Sequence, residues 1–215
     1  MNIALNKGFL YDWVGTNEWL FKAINSLDGD PTYNALMEFL TGVGEHSNFI
    51  YYFIAIAVYA ILDFVVRKIN GNGGAGKSLV VWIGVLSVFA SSYAVDGLAV
   101  KKLKDEFAYP RPYVVIAPED ITVLGHKKAD DDHHSFPSGH ASFITVFICS
   151  LWPALLGKMP LYGALLIFAV CWSRIAMGMH FPADVIAGFL IALMVVLAVR
   201  YVLYTLFAKL FKWKC

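Results

Sequence analysis

The sequence predicts an all-α, polytopic membrane bundle of about five spanning helices, preceded by amphipathic helices lying in the membrane interface. Three observations carry this reading. Of 215 residues, 59% are hydrophobic and 15% charged, whereas soluble domains carry about 25% charged residues. The apolar residues gather into five runs, each close to the roughly 20 residues that cross a hydrocarbon core of about 30 Å as a helix. The first 48 residues lack such a run. A net charge of +1 offers no clustered basic surface for nucleic acid. The length suits one domain, with residues 1–48 interfacial, 49–207 forming the membrane core and 208–215 a basic tail.

The N-terminal region interleaves apolar positions with Asp12, Glu18, Lys22, Asp28, Asp30, Glu38 and Glu45, which no spanning helix tolerates. Asp30 followed by Pro31 reads as an N-cap and first helical position. Tyr33, Leu36, Met37, Leu40 and Val43 then share one helix face, suited either to the membrane interface or to packing against the bundle. No charged n-region with a compact apolar stretch and cleavage site opens the chain, so no cleaved signal peptide is expected. The expected spans are 49–66, 79–100, 141–157, 160–178 and 183–207.

Span parity puts residues 101–140 and 179–182 on one side, and residues 67–78, Lys158 and the tail on the other. The second side holds Arg67, Lys68, Lys77, Lys158, Lys209, Lys212 and Lys214. The first holds Lys7, Lys22, Lys101, Lys102, Lys104, Arg111, Lys127, Lys128 and Arg174. The positive-inside rule is nearly balanced until Lys104, Arg111 and Arg174 are set aside as site residues. It then favours a cytoplasmic second side.

Gly71 to Ser78 reads GNGGAGKS, the G-x-x-x-x-G-K-S pattern of a phosphate-cradling loop. That loop works between a buried strand and a helix of an α/β domain. Here it joins two spans, so a flexible connector is the better reading.

Charged groups near a membrane are costly and tend to be functional. Three stretches place them at span ends on one side: KDEFAYPRP from Lys104 to Pro112, PSGH from Pro137 to His140, and SRIAMGMHFPAD from Ser173 to Asp184. Pro110 and Pro112 hold Arg111 in extended or turn geometry. Ser138 is a good N-cap for a helix whose amino end suits an anion, and Gly139 would let that anion approach the backbone. Pro182 suits the first turn of the last span, leaving His180 just outside it and Asp184 within reach of the imidazole. Such a carboxylate fixes the tautomer of its histidine. Arg174 supplies planar donors matched to phosphate. Two histidines, a carboxylate, three permanent cations and a helix amino end together suit phosphoryl transfer without a required metal.

The patterns K-x6-R-P (Lys104, Arg111, Pro112), P-S-G-H (Pro137 to His140) and S-R-x5-H-x3-D (Ser173, Arg174, His180, Asp184) resemble the three signature motifs of the type 2 phosphatidic acid phosphatase superfamily. They match in order and without substitution over residues 104–184, with spans placed as in its membrane-bound bacterial members. The resemblance implies that His180 attacks phosphorus to form a phosphohistidine, oriented by Asp184. His140 then protonates the leaving oxygen. Lys104, Arg111, Ser138, Gly139 and Arg174 bind the phosphate, and no cofactor or metal is implied.

A site at span ends meets phosphates on lipids whose tails stay in the bilayer. Undecaprenyl diphosphate, phosphatidylglycerol phosphate, phosphatidic acid and lipid A phosphates are all candidates, and a phosphotransferase of the same family or a non-catalytic lipid-binding or transport protein are alternatives. The implied setting is the bacterial inner membrane, with the site on the periplasmic or extracellular face. Asp130 to His134, with His126 nearby, has metal-ligand composition but reads as a solvated loop beside the site. Cys149 and Cys171 fall in different spans and Cys215 is terminal, so no disulfide framework follows. Asp63 and Asp96 lie within spans, where an interhelical hydrogen bond is expected of each. Gly97 and Ser91 or Ser92 would allow close helix approach.

Overall fold

A computed structural model describes residues 9–27, 29–71, 73–124 and 132–210. Nine α-helices are found among them: α1 (Phe9–Asp12), α2 (Thr16–Asn25), α3 (Pro31–Val43), α4 (Phe49–Ile69), α5 (Ala75–Phe107), α6 (Pro112–Val115), α7 (Gly139–Leu151), α8 (Met159–Ala176) and α9 (Pro182–Leu210). Four stretches are long and apolar enough to cross a membrane: His46–Ile69, Ala75–Val115, Met159–Ala176 and Pro182–Phe207. Their outward faces expose Ile54, Leu98, Phe168, Met194 and Tyr201, as lipid-facing surfaces should.

The fifth expected span differs. Its helix α7 has 13 residues, about 20 Å at 1.5 Å per residue, and ends in a 3-10 turn at Trp152–Ala154. Because α7 packs against α5, α8 and α9, it need not match the bilayer. Phe143, Ile144, Thr145 and Val146 are all buried. Arg200 of α9 donates to the Cys149 carbonyl at 2.7 Å, satisfying a backbone acceptor at the early helix end. Below that end lies an apolar opening of about 800 Å³ between α5 and α9, which includes Val81, Gly84, Arg200 and Tyr204 and none of the three motifs.

Helix α5 departs from its expected span in the other direction. Its apolar run stops near residue 100, yet the helix continues through KKLKDEF to Phe107. Lys, Asp and Glu end membrane burial but do not forbid helix. At 33 residues, about 50 Å, α5 outreaches the hydrocarbon core and carries Lys104 beyond it.

The Asp30 cap is present, its side chain accepting from the Thr32 amide at 2.8 Å. Helix α3 lies against α8: Met37 is buried and Leu36 and Phe39 are exposed, while the Trp172 indole donates to Tyr33 Oη at 3.1 Å. Helix α2 caps the same end of the bundle. Asn25 donates to the carbonyls of Thr122 and Ala176 at 2.7 and 2.8 Å, and Asn17 accepts from the Ala183 amide at 3.0 Å.

Both intramembrane aspartates find partners on a neighbouring helix. Ser142 of α7 donates to Asp96 at 2.6 Å, and Ser78 of α5 donates to Asp63, which also takes Arg67. Gly97 faces no neighbour, so it does not mediate close approach; Ser92 is the fully buried position there. Of the Gly71 to Ser78 stretch, Gly71, Gly73 and Gly74 lie between α4 and α5, Ala75 to Ser78 open α5, and no strand adjoins it among the described residues. Cys149 and Cys171 are free thiols, whereas Cys215, His126 and Asp130 lie outside the described residues.

Candidate active site

All three motif stretches converge at one end of the bundle. The third supplies the centre. Helix α8 ends at Ala176, and the Met179 and His180 amides both donate to the Arg174 carbonyl at 3.2 Å, folding His180 back under the helix end. Pro182 starts α9 one residue beyond Phe181. His180 is 1% exposed and Asp184 0%.

Donors from three parts of the chain reach the Asp184 carboxylate among the described residues. Tyr11 Oη reaches Oδ1 at 2.6 Å, while Ser135 Oγ and the Phe181 amide reach Oδ2 at 2.6 and 2.8 Å. His180 Nδ1 stands 3.6 Å from Oδ2, beyond a good hydrogen bond but close enough to tighten once the ring acquires charge. The Tyr11 phenol is pushed far above its ordinary value by burial first and by the Asp184 carboxylate next, so it remains a donor.

Arg111 is also buried. Its Nη1 donates to the Met179 carbonyl at 3.0 Å and lies 3.4 Å from His180 Nε2. A guanidinium can only donate, so this contact requires an unprotonated Nε2. Burial, then the charges of Arg111, Arg174 and Lys104, lower His180 well below the ordinary histidine value. Both observations describe a neutral imidazole whose Nε2 lone pair faces Arg111.

Arg174 is buried and donates to Thr41 Oγ1 of α3 at 3.0 Å. Lys104 donates to the His134 carbonyl, and the Arg111 amide to the Asp132 carbonyl at 2.9 Å. The described part of the acidic loop thus braces the cation strip through its backbone.

Ser138 departs from expectation. It occupies the N-cap position of α7, but its side chain caps nothing. The hydroxyl is buried without a protein partner among the described residues, and the backbone amide donates to the Asp184 carbonyl at 2.9 Å. At Gly139 a Cβ would stand 2.9 Å from His46 Cε1, so the missing side chain makes room for that ring. His140 begins the same helix and places Nε2 2.9 Å from Glu45 Oε2.

The sequence pattern of the PAP2 superfamily matches residues 82–208. The chain belongs to the PAP2 superfamily. It is 30% identical over 178 residues to an undecaprenyl-diphosphatase of Sulfolobus acidocaldarius, covering 83% of this chain and 74% of that one. It is also 30% identical over 161 residues to a lipid A 1-phosphatase of Rhizobium johnstonii, covering 71% and 61%. Two crystal structures share the fold at a TM-score of 0.63. Aquifex aeolicus LpxE is 22% identical, with 86% of this chain and 94% of that chain covered. A transmembrane PAP2 type phosphatidylglycerolphosphate phosphatase from Bacillus subtilis is 23% identical, with 89% and 86% covered. This PAP2 chain is an integral membrane lipid phosphatase. Tyr11, Thr41 and Glu45 lie upstream of the matched region, and no sequence motif marked them. Ser135 had only its place beside Pro137 to His140 as a signal.

Proposed function

We propose that this PAP2 enzyme hydrolyses a lipid phosphate or diphosphate in two steps through a phosphohistidine, without a metal. A neutral, buried His180 among three permanent cations carries the reading, because it combines a nucleophile with an anion site. In the first step Nε2 of His180 bonds to phosphorus as the bond to the lipid oxygen breaks, and His140 gives that oxygen a proton. In the second, water attacks phosphorus and gives a proton back to His140. The N–P bond breaks and inorganic phosphate leaves. A group that acts as acid in one direction must act as base in the other.

Lys104, Arg111 and Arg174 neutralise the equatorial oxygens, Ser138 Oγ and the Gly139 amide add donors, and Asp184 steadies the charged imidazole. Holding the nucleophile aligned supplies up to about 7–11 kcal/mol. Undecaprenyl diphosphate and phosphatidylglycerol phosphate are the favoured substrates, in keeping with the named activities of relatives. A lipid A phosphatase or phosphotransferase role is the second reading, prompted by the Rhizobium relative. The arginine and lysine balance favours a site on the outer, periplasmic or extracellular, face, and the resemblance to membrane-bound bacterial members supports a bacterial plasma membrane.

Phosphate release from these lipids in detergent, wild type beside His180→Ala, tests the proposal. Turnover should vanish in the variant, orthovanadate should inhibit, and EDTA should leave the rate unchanged. A folded His180→Ala protein that still releases phosphate would remove the nucleophile assignment.

A further inference from the structure

His140 and Glu45 form a hydrogen-bonded pair that the three motifs do not contain. Glu45 sits at the turn between α3 and the 3-10 turn His46–Asn48, and this turn is fitted against the start of α7. A Cβ on Gly44 would stand 2.7 Å from Val170 Cγ1 and 3.4 Å from both Cβ and the carbonyl oxygen of His140. On the other side His46 fills the space over Gly139, its ring 6.4 Å from that of His140. Glu45 is thus held over His140 by close backbone approach on one flank and a packed ring on the other.

The pair adds little to stability. The Glu45 side chain is 51% exposed, and exposed ion pairs contribute about 0–1 kcal/mol. Its chemical setting is more telling. The charged groups around His140 are Arg174 of α8, His46, Glu45 and, across the site, His180. On α5, Asp96 is engaged with Ser142, and the Lys104 charge is felt at His46. Burial first, and the Arg174 charge next, push His140 down to about 4, while Glu45 is the carboxylate in direct contact that favours a proton there.

We propose that Glu45 is a positioning residue for the leaving-group acid: by accepting Nε2–H it fixes the tautomer of His140, makes Nδ1 the nitrogen that exchanges protons and favours the proton that Nδ1 takes up. This rests on the reading of His140 as the acid given above. The Nδ1 proton passes to the departing oxygen as the P–O bond breaks, leaving a neutral ring with Nε2–H still on Glu45. The freed Nδ1 lone pair later takes a proton from the attacking water. The hydrogen bond from His140 also pushes the Glu45 carboxyl down to about 2, so Glu45 is ionised whenever the enzyme works.

The test compares two phosphate monoesters in detergent: an alkyl lipid phosphate, whose alkoxide needs a proton to leave, and 4-nitrophenyl phosphate, whose phenolate does not. Acid–base assistance is worth about 10²–10⁴-fold. Glu45→Gln should lower kcat on the alkyl ester by roughly 10-fold or more and on the aryl ester far less. The alkaline limb of kcat/KM should move to lower pH, and Glu45→Asp should recover most of both effects. An equal loss on the two esters, or an unmoved alkaline limb, would overturn the proposal. His140→Ala is the control. If it too fails to separate the esters, the acid assignment itself is wrong; if it separates them and Glu45→Gln does not, only the role of Glu45 is lost.

Discussion

Replacing Ser138 with alanine should make this enzyme more stable and less active. The hydroxyl is 0% exposed with no protein partner among the described residues, and an unsatisfied buried polar group costs about 1–3 kcal/mol. Alanine keeps the backbone bonds to Asp184 and Ser142, at 2.9 and 3.1 Å, and removes only the oxygen. A gain of about 1 kcal/mol corresponds to roughly 2–4 °C in a chain of about this length. Ser138 is tied to Asp184 through its backbone and precedes Gly139, and in the proposed mechanism its oxygen donates to the phosphate. A hydrogen bond to a charged group is worth about 1.5–3 kcal/mol, so kcat/KM should fall roughly 10- to 150-fold at about 1.4 kcal/mol per tenfold. Thermal unfolding in detergent, with and without orthovanadate, alongside phosphate release, reads both effects. The stabilisation by vanadate should shrink as the basal melting point rises. A variant that melts lower and turns over normally would show that the hydroxyl serves the fold and not the phosphate.

Two further outcomes follow from the buried centre. Tyr11→Phe keeps the ring against Tyr109, Phe136 and Phe181 but removes a donor from a fully buried carboxylate, so stability should drop by about 2 kcal/mol; an unchanged melting temperature would show that Asp184 does not depend on it. His180 is held neutral in the fold while the unfolded chain protonates near about pH 6.5, so the unfolded state binds more protons below that pH. Its contribution is complete above the unfolded value and is lost as pH falls towards the folded one. Melting curves between about pH 7.5 and 5.5 should therefore decline more steeply for wild type than for His180→Asn, and parallel curves would rule out a neutral buried imidazole.

The spans that were legible are those whose burial is uniform. α4, α8 and α9 follow their apolar runs to within a few residues, because hydrocarbon imposes one composition on every exposed face. α5 and α7 depart from the lengths of their apolar runs for opposite reasons. Hydropathy marks where lipid ends and not where helix ends, so the charged but helix-compatible residues 101–107 were missed. In α7 the apolar residues face protein, so its run of hydrophobicity says nothing of bilayer thickness. The N-terminal helices left their role open because an amphipathic face fits lipid headgroups and a neighbouring helix equally well; Tyr33 with Trp172, and Asn25 with Ala176, place them on the bundle.

The site divides along a similar line. That the three motif stretches gather at one end of the bundle was legible, because three cations, two histidines and a helix amino end are chemically unusual near a membrane and cluster at span ends. Residues that hold those groups were not. Tyr11 meets Asp184 across 173 positions and Glu45 meets His140 across 95, and a tyrosine or glutamate in a polar segment carries no mark of such a partner. Ser138 shows the limit from the other side. Its residue type suits a helix cap and a phosphate ligand alike, and only the placement of its oxygen shows that it is not a cap. The first 48 residues therefore supply second partners to Asp184, Arg174 and His140, the three groups on which orientation, charge and proton transfer would depend. On that basis, removing the N-terminal helices should disable chemistry while leaving every residue of the three motifs in the chain.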